Sequence, residues 1–145
     1  MRFSITTYLF LVAAVLLSVP PIIDVVNGAI KGEKNLCTIA LVMDGDTVKI
    51  DCPDSDISNA RIMGYDTPEK NARCIGEFFS AIRATWALRI MLWRAHAIEI
   101  KTDGKDKYGR ALIRLLVNGN DVTPAMVRTG VARIYSGGRR GSWCE

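Results

Sequence analysis

The sequence predicts an α+β fold: a small closed barrel of five short strands, with a long helix after strand three and a short helix near the C-terminus. Two patterns carry this prediction. Apolar and polar residues alternate in several short runs separated by Asp, Asn and Gly, which is typical of antiparallel strands. One longer run repeats its apolar residues every three or four positions, which is typical of a helix. Five short strands are too few for a two-sheet sandwich, so a closed barrel is the better prediction.

Three strands come first. The alternation predicts a strand over residues 36–43, and the turn at Asp44-Gly45-Asp46 leads into a second strand over 48–52. The polar stretch 53–59 predicts a loop, and the apolar run 61–65 predicts the third strand. The order strand, turn, strand is that of a hairpin.

The period then changes. A helix is predicted from about residue 76 to residue 94, because apolar side chains recur there at helical spacing. The residues that define this face are Phe79, Ile82, Trp86, Ile90 and Trp93, with Ala81, Thr85, Leu88 and Leu92 beside them. We expect the face with the two tryptophans to pack in the core.

The rest of the chain completes the barrel. In order, the predictions are a strand at 97–101, a polar loop at 102–109, a strand at 110–117, a turn at 118–120, a helix at 122–129 and a short strand at 131–135. Gly130 suits the position after a helix end. A small barrel with a helix inserted after its third strand is of the OB type.

The N-terminal residues differ in composition from the rest. An apolar run of 12 residues, Tyr8 to Val19, follows a single positive charge and ends at Pro20-Pro21. This length fits the hydrophobic region of a signal peptide better than a full membrane span. Residues 1–28 are therefore predicted to be a signal peptide or an N-terminal membrane anchor, and residues 36–145 the folded domain. The protein is expected to be exported, periplasmic or secreted, with anchoring in the inner membrane as the alternative.

The cysteines agree with export. All four follow the leader, and an even number in a short exported chain indicates disulfides. Cys37 and Cys52 flank the predicted hairpin, which favours the pairs Cys37–Cys52 and Cys74–Cys144 among three possible connectivities. With one histidine and no CxxC pair, the chain offers little to zinc. The net charge of +4 is compatible with a polyanionic partner but decides nothing alone.

Charged residues cluster at the ends of the predicted strands. Asp46 leaves the first hairpin, Asp66 and Glu69 follow strand three, and Arg61 and Arg110 begin strands three and five. Carboxylates with a backbone carbonyl form the hard oxygen site that calcium or magnesium prefers. Arginines bind phosphate oxygens in a bidentate manner. These residue types together describe metal-assisted phosphodiester hydrolysis.

Each motif alone has a plainer explanation. Asp44-Gly45-Asp46-Thr47 is more often only a hairpin turn, and Asp66-Thr67-Pro68-Glu69 is more often the cap and first turn of a helix. Arg110 alone is a surface charge, and Lys105-Asp106-Lys107 alone is a solvated loop. The order and spacing of the motifs together are what favour a site.

That combination resembles the staphylococcal nuclease (thermonuclease) family. The resemblance rests on four blocks and covers roughly residues 36 to 135. The blocks are VMDGDTVKI (42–50), RIMGYDTPE (61–69), KDKYGRALIRLLVNGNDV (105–122) and AMVRTGVARI (125–134). The closing GGRRGSWC (137–144) is similar to exported bacterial members, although this tail is shorter than that of the staphylococcal enzyme.

The resemblance implies a site and an activity. It implies an OB barrel and a calcium ion held by Asp46, Asp66 and the carbonyl of Thr67. Glu69 would act on the attacking water, and Arg61 and Arg110 would bind phosphate. Lys107 and Tyr108 would lie near the bound nucleotide.

The implied protein is a calcium-dependent endonuclease of DNA, RNA or both, with little sequence preference and 3′-phosphate products, expected to be a monomer. The main alternative is an OB-fold module of the cell envelope that binds nucleic acid without cutting it. A third interpretation is an envelope protein whose phosphate site serves another anion or a partner.

Overall fold

The structure is a computed structural model that describes residues 4–31, 36–53 and 55–144. Residues 1–3 of the predicted leader, Asp54 of the predicted loop and Glu145 lie outside the described residues. The helices are α1 (Ile5–Lys31), α2 (Ile75–Arg94) and α3 (Val122–Arg128). The strands are β1 (Thr38–Val42), β2 (Thr47–Cys52), β3 (Ser55–Ile62), β4 (Gly64–Asp66), β5 (Ile98–Lys105), β6 (Ala111–Val117), β7 (Asn120–Asp121) and β8 (Arg133–Tyr135).

The α+β, OB-like fold that the sequence predicts is confirmed. One curled sheet has the strand order β1-β2-β3-β6-β5, and β7 pairs with the end of β6. Neighbours are antiparallel except for β3 and β6, which pair in parallel through residues 60–62 and 111–113. The short strands β4 and β8 form a separate antiparallel pair. The main sheet is a half-barrel.

The core fills the concave side of this sheet. Val48, Ile62, Ile113 and Leu115 point inward from the strands, and Leu88 of α2 packs among them. Alternation along β2 and β6 produces this burial because successive strand residues face opposite sides. The core therefore sits between the sheet and α2, directly behind the strand ends.

The prediction of a loop at 53–59 is wrong, because residues 55–59 belong to strand β3. Residues 55 to 59 pair with β2, whereas β6 joins β3 only from Ala60 onward. The segment pairs with β2 along one edge, and its side chains at positions 56, 58 and 59 are exposed, so these positions need no apolar residues and the polar sequence resembles that of a loop. The predicted loop at 102–109 is shortened for the same reason, since β5 continues to Lys105.

The orientation of α2 also differs from the prediction. Its buried side chains are Glu77, Ala81, Ala84, Thr85, Leu88 and Leu92, whereas Phe79, Trp86 and Ile90 are exposed. Gly45, in the β1–β2 turn, explains why small residues were selected for the inner face. A Cβ on Gly45 would lie 2.6 Å from the Ala84 Cβ and 2.9 Å from the Thr67 Cγ2. The turn and the helix approach too closely for bulky side chains.

Both predicted disulfides are present. Cys37 bonds to Cys52 across the β1–β2 hairpin, and Cys74 bonds to Cys144 across a separation of 70 residues. The second bond ties the C-terminal tail to the residue that precedes α2.

Helix α1 continues through Pro20 and Pro21, and its segment Ile5–Asn27 is long and apolar enough to cross a membrane. Its first half is exposed, whereas Asp24 is buried against the domain. The Asp24 carboxylate accepts hydrogen bonds from the Arg89 Nε at 2.8 Å, the Trp93 Nε1 at 2.9 Å and the Val42 N–H at 3.3 Å. The end of α1 is thus joined to β1 and α2.

Candidate active site

The β1–β2 turn brings Asp46 into the interior. Backbone N–H groups of Met43 and Asp44 donate to the carbonyl of Thr47, which closes the turn. Asp46 is buried, and its Oδ1 accepts the Thr47 hydroxyl at 3.0 Å. Its Oδ2 accepts the backbone N–H of Thr67 at 3.1 Å. The carboxylate is therefore oriented by its own turn and by the segment after β4.

Strand β4 places Asp66 beside Asp46. Tyr65, which precedes Asp66, is fully buried and donates its hydroxyl to the carbonyl of Gly45 at 2.9 Å. Burial is the main cause that raises the Tyr65 pKa well above its usual value, and the nearby charge of Asp46 adds to it. A neutral tyrosine thus locks β4 to the turn that carries Asp46.

The segment after β4 is not a helix start, so the capping interpretation of Asp66-Thr67-Pro68-Glu69 is wrong. Residues 67–69 are irregular, and α2 begins only at Ile75. The Glu77 carboxylate, in the first turn of α2, accepts the backbone N–H of Arg73, two residues before the helix begins, at 2.8 Å. Glu69 therefore does not cap α2.

Arg61 joins the two buried carboxylates. Its Nη1 lies 2.5 Å from the Asp46 Oδ2, and its Nη2 lies 3.1 Å from the Asp66 Oδ1. The same Nη2 donates to the carbonyl of Tyr65 at 3.3 Å. All three charged side chains are almost completely buried. One planar guanidinium therefore spans the space between two convergent anions.

The donor set fits a hard divalent cation. Asp46 and Asp66 converge from two sides, and the backbone of Thr67 lies against Asp46. Oxygen ligands of this kind suit calcium or magnesium. Cys74 and Cys144 lie close to Glu77, but their sulfurs are joined in a disulfide and cannot serve as thiolate ligands. The residues expected to hold calcium thus stand together.

Arg110, directly before β6, is held by Asp106, a residue that the sequence indicated only as part of a solvated loop. The Asp106 Oδ2 accepts the Arg110 Nε at 2.7 Å, and its Oδ1 accepts the backbone N–H groups of Tyr108 and Arg110 at 2.9 Å and 3.0 Å. Desolvation opposes the charged form of Asp106, but these hydrogen bonds outweigh it and lower its pKa. The spacing of four between Asp106 and Arg110 was the available signal.

An open cavity of about 920 Å³ collects the other predicted residues. Its lining includes Arg61, Glu69, Lys107, Tyr108 and Arg110. The Tyr108 ring is exposed and lies under two cations, with the Lys107 Nζ 5.0 Å and the Arg110 Cζ 5.7 Å from its centre. Every residue that the sequence predicted for the site therefore borders this cavity or the paired carboxylates beside it.

Two further site residues come from the tail. The Arg140 Nε lies 3.0 Å from the Asp66 Oδ1, and its Nη1 contacts the Glu69 carboxylate. The Trp143 Nε1 donates to the Asp66 Oδ2 at 3.2 Å. Partial burial opposes the charge of Arg140, but Asp66, Asp46 and Glu69 outweigh it and raise its pKa. The predicted pairing of Cys74 with Cys144 was the signal that could have placed this tail.

Asp44 is a second carboxylate in the β1–β2 turn, beside Asp46. Burial, followed by the charge of Asp46, raises its pKa from 3.8 to about 6. Lys70 opposes this shift and donates its ammonium to the neighbouring carbonyl of Met43. Burial in turn lowers the pKa of Lys70, although Asp44 works against that shift. Asp44 therefore holds its proton more tightly than an ordinary aspartate because it lies partly buried beside the Asp46 carboxylate.

Comparison with known families agrees with this geometry. A family model described as "Staphylococcal nuclease homologue" matches residues 59–142, more than half of the chain. The match contains Arg61, Asp66, Glu69 and Arg110, as well as the tail residue Arg140. The chain belongs to the staphylococcal nuclease homologue family.

Proposed function

We propose that this protein is a calcium-dependent endonuclease that hydrolyses phosphodiester bonds of DNA, RNA or both with little sequence specificity. Family membership indicates a nuclease-type activity in general. The observation that carries the finer proposal is the Arg61 bridge between Asp46 and Asp66, at the border of a cavity that also contains Arg110 and Glu69. Cations for a phosphate and carboxylates for a metal occur there side by side.

The arginines bind and orient the scissile phosphate. Arg61 reaches the cavity from the buried carboxylate pair, and Arg110 reaches it from the start of β6. Charge accumulates on the phosphate oxygens when a nucleophile adds in line, and fixed guanidinium groups stabilise that charge. Asp106 supports this role as a positioning residue, because its carboxylate accepts hydrogen bonds from both the side chain and the backbone N–H of Arg110.

Glu69 is suited to assist the attacking water. Its side chain is 51% exposed at the cavity, so a carboxylate oxygen is accessible from solvent. In the proposed step, the water oxygen bonds to phosphorus and the bond to the 5′ oxygen breaks. One water proton passes to Glu69, and the leaving 5′ oxygen takes a proton from solvent. The products carry a 3′-phosphate and a 5′-hydroxyl.

Asp46, Asp66 and the Thr67 carbonyl would hold the calcium ion. Bound there, it would add positive charge beside the phosphate oxygens and the attacking water. The nucleic-acid strand itself would contact Lys107 and Tyr108, a charge and an aromatic ring at the rim of the cavity. Such contacts read backbone charge and base faces, which explains a low sequence preference.

The protein is further proposed to act as an exported monomer. Two disulfides and the apolar helix α1 support export of the domain across the inner membrane. The domain binds Asp24 of α1 through Arg89, Trp93 and the backbone of Val42. These contacts favour a retained helix that anchors the protein in the inner membrane over a cleaved signal peptide.

Purified full-length protein in detergent tests the function. Plasmid DNA, single-stranded DNA and RNA should be degraded with calcium and left intact with EDTA. Glu69→Gln and Arg110→Ala should each lose most of the activity, while Arg83→Gln, which changes an exposed arginine on α2, serves as the matched control. Full activity in EDTA, or in both site variants, would contradict the proposal.

One observation supports binding without cleavage as the second candidate. Arg140 and Trp143 already contact the two oxygens of Asp66, a predicted metal ligand. If these contacts persist, the cavity can hold a strand while the metal site is blocked. Retention of a labelled oligonucleotide without any cleavage, at every calcium concentration, would select this alternative.

A further inference from the structure

The C-terminal strap, residues 137–144, is fastened at several points. The Tyr135 hydroxyl donates to the carbonyl of Gly138 at 2.7 Å, and the Arg133 Nη1 donates to the carbonyl of Ser142 at 2.8 Å. Arg133 also stacks on the Trp143 ring at 3.8 Å, and Cys144 is bonded to Cys74. The strap is therefore a built part of the domain, and its course across the site follows from these contacts.

The strap places one arginine at the boundary between two cavities. Arg140 lines the large cavity that holds Arg61 and Arg110, and it also lines a smaller cavity of about 330 Å³ beside Asp66 and Glu69. Its side chain is about one-third exposed, so the guanidinium can be reached by a ligand. Its neighbour Arg139 is exposed and does not line either cavity.

The present partners of Arg140 are groups to which the proposed function assigns other tasks. Asp66 would bind calcium, and Glu69 would receive a proton from water. A divalent cation at Asp66 repels a guanidinium 3.0 Å from the same oxygen, because like charges at such distances in a partly buried site interact strongly. Arg140 would then be available to another anion, and under the proposed function the anion that enters this cavity is a backbone phosphate.

We propose that Arg140 is a third phosphate-binding arginine, which moves from Asp66 and Glu69 to a backbone phosphate of the nucleic-acid strand when calcium and substrate bind. The inference rests on the proposed function for the identity of the ligand. The strap and the Cys74–Cys144 disulfide act as the positioning device, since they deliver Arg140 from a stretch of chain that has no regular secondary structure among its described residues.

The test measures binding without cleavage. A fluorescent single-stranded DNA with phosphorothioate linkages is titrated with full-length protein in calcium, and affinity is read from anisotropy. Arg140→Gln should weaken binding by at least about tenfold, as expected for a lost charge-assisted contact, and should reduce the salt dependence by about one phosphate contact. Arg139→Gln, the matched control on the same strap, should change affinity less than about threefold.

A second readout concerns calcium itself. Without nucleic acid, Arg140→Gln should bind calcium several times more tightly in calorimetry, because a competing cation has left Asp66. Arg140→Lys keeps the positive charge and should therefore bind calcium as weakly as wild type does. Unchanged oligonucleotide affinity in Arg140→Gln, or an equal loss in Arg139→Gln, would overturn the phosphate assignment. Unchanged calcium affinity would overturn the exchange of partners.

The disulfide provides a variant that does not depend on Arg140 alone. Cys74→Ser with Cys144→Ser should weaken oligonucleotide binding about as much as Arg140→Gln, and adding Arg140→Gln to that background should cost little more. Full additivity would contradict a positioning role. If wild-type protein binds the strand but never cleaves it, the proposed endonuclease fails while the Arg140 assignment stands. If Arg140→Gln binds and cleaves the strand as wild type does, the Arg140 assignment fails while the proposed endonuclease stands.

Discussion

Arg61→Gln is expected to destabilise the calcium-free protein and to make it unusually responsive to calcium. The side chains of Arg61, Asp46 and Asp66 are only 7%, 5% and 6% exposed, so the substitution leaves two buried carboxylates without their shared cation. Removing one partner of a buried ion pair costs about 3–5 kcal/mol. Thr67 and Arg140 still donate to these carboxylates, so we expect a loss of about 3 kcal/mol.

This loss is large enough to measure directly. For a chain of this size it corresponds to a decrease in melting temperature of about 6–12 °C. Urea denaturation of the full-length protein in EDTA, followed by tryptophan fluorescence, should show a lower midpoint with an unchanged slope. Arg114→Gln, which changes an exposed arginine on β6, is the matched control and should stay within about 0.5 kcal/mol of wild type.

Calcium should then separate the variant from wild type. A ligand at 100 times its dissociation constant stabilises a protein by about 2.7 kcal/mol. Arg61→Gln should gain more from calcium than wild type does, because Asp46 and Asp66 no longer share their charge with a guanidinium. Its nuclease activity should remain low even when calcium has restored the stability. Equal stability in EDTA, or an equal gain from calcium, would refute the argument that Arg61 neutralises this pair.

The other predictions concern the parts that hold the site. Asp24→Ala should lower the free energy of unfolding by about 3 kcal/mol in detergent, and an unchanged melting curve would show that the α1 contact contributes nothing. Gly45→Ala should cost about 1–3 kcal/mol, because its Cβ would overlap Ala84, and activity should fall with it. Asp106→Asn should raise the KM about tenfold by loosening Arg110. In wild type, folding lowers the pKa of Asp106, so its contact with Arg110 is fully formed above pH 3.8, the ordinary pKa of an aspartate. The contact is lost as the pH falls through the lower pKa of the folded protein, and Asp106→Asn should lack this dependence on acid.

The elements that the sequence predicted well are those whose pattern reports their surroundings. The Asp44-Gly45-Asp46 turn, the alternation of β2 and β6 and the helix break near Gly130 each depend on a few neighbouring residues. β3 was missed over its first half because the exposed side chains at positions 56, 58 and 59 carry no apolar period. The buried face of α2 was predicted wrongly because the prediction considered how apolar each side chain is and not how large it is. Close approach to the turn required Ala84 inside and left Trp86 outside.

For the site, the amino-acid sequence was enough to identify the chemical groups and to predict that each lies near one end of a strand. Asp46, Asp66, Glu69, Arg61 and Arg110 could be named because their order and spacing are properties of the chain. Local backbone geometry then brings each group to the end of its strand, and no distant contact is needed for that step.

Which of these groups contact one another could be learned only from the folded chain. Arg61 bridges carboxylates from two different elements, and Asp106 aims Arg110 through three hydrogen bonds. The tail showed the largest difference, since Arg140 lies 71 residues from its partner Glu69 and was unassigned in the sequence. Contacts between charges depend on distance through space rather than on separation along the chain. The Cys74–Cys144 disulfide holds the remote, glycine-rich tail beside the site.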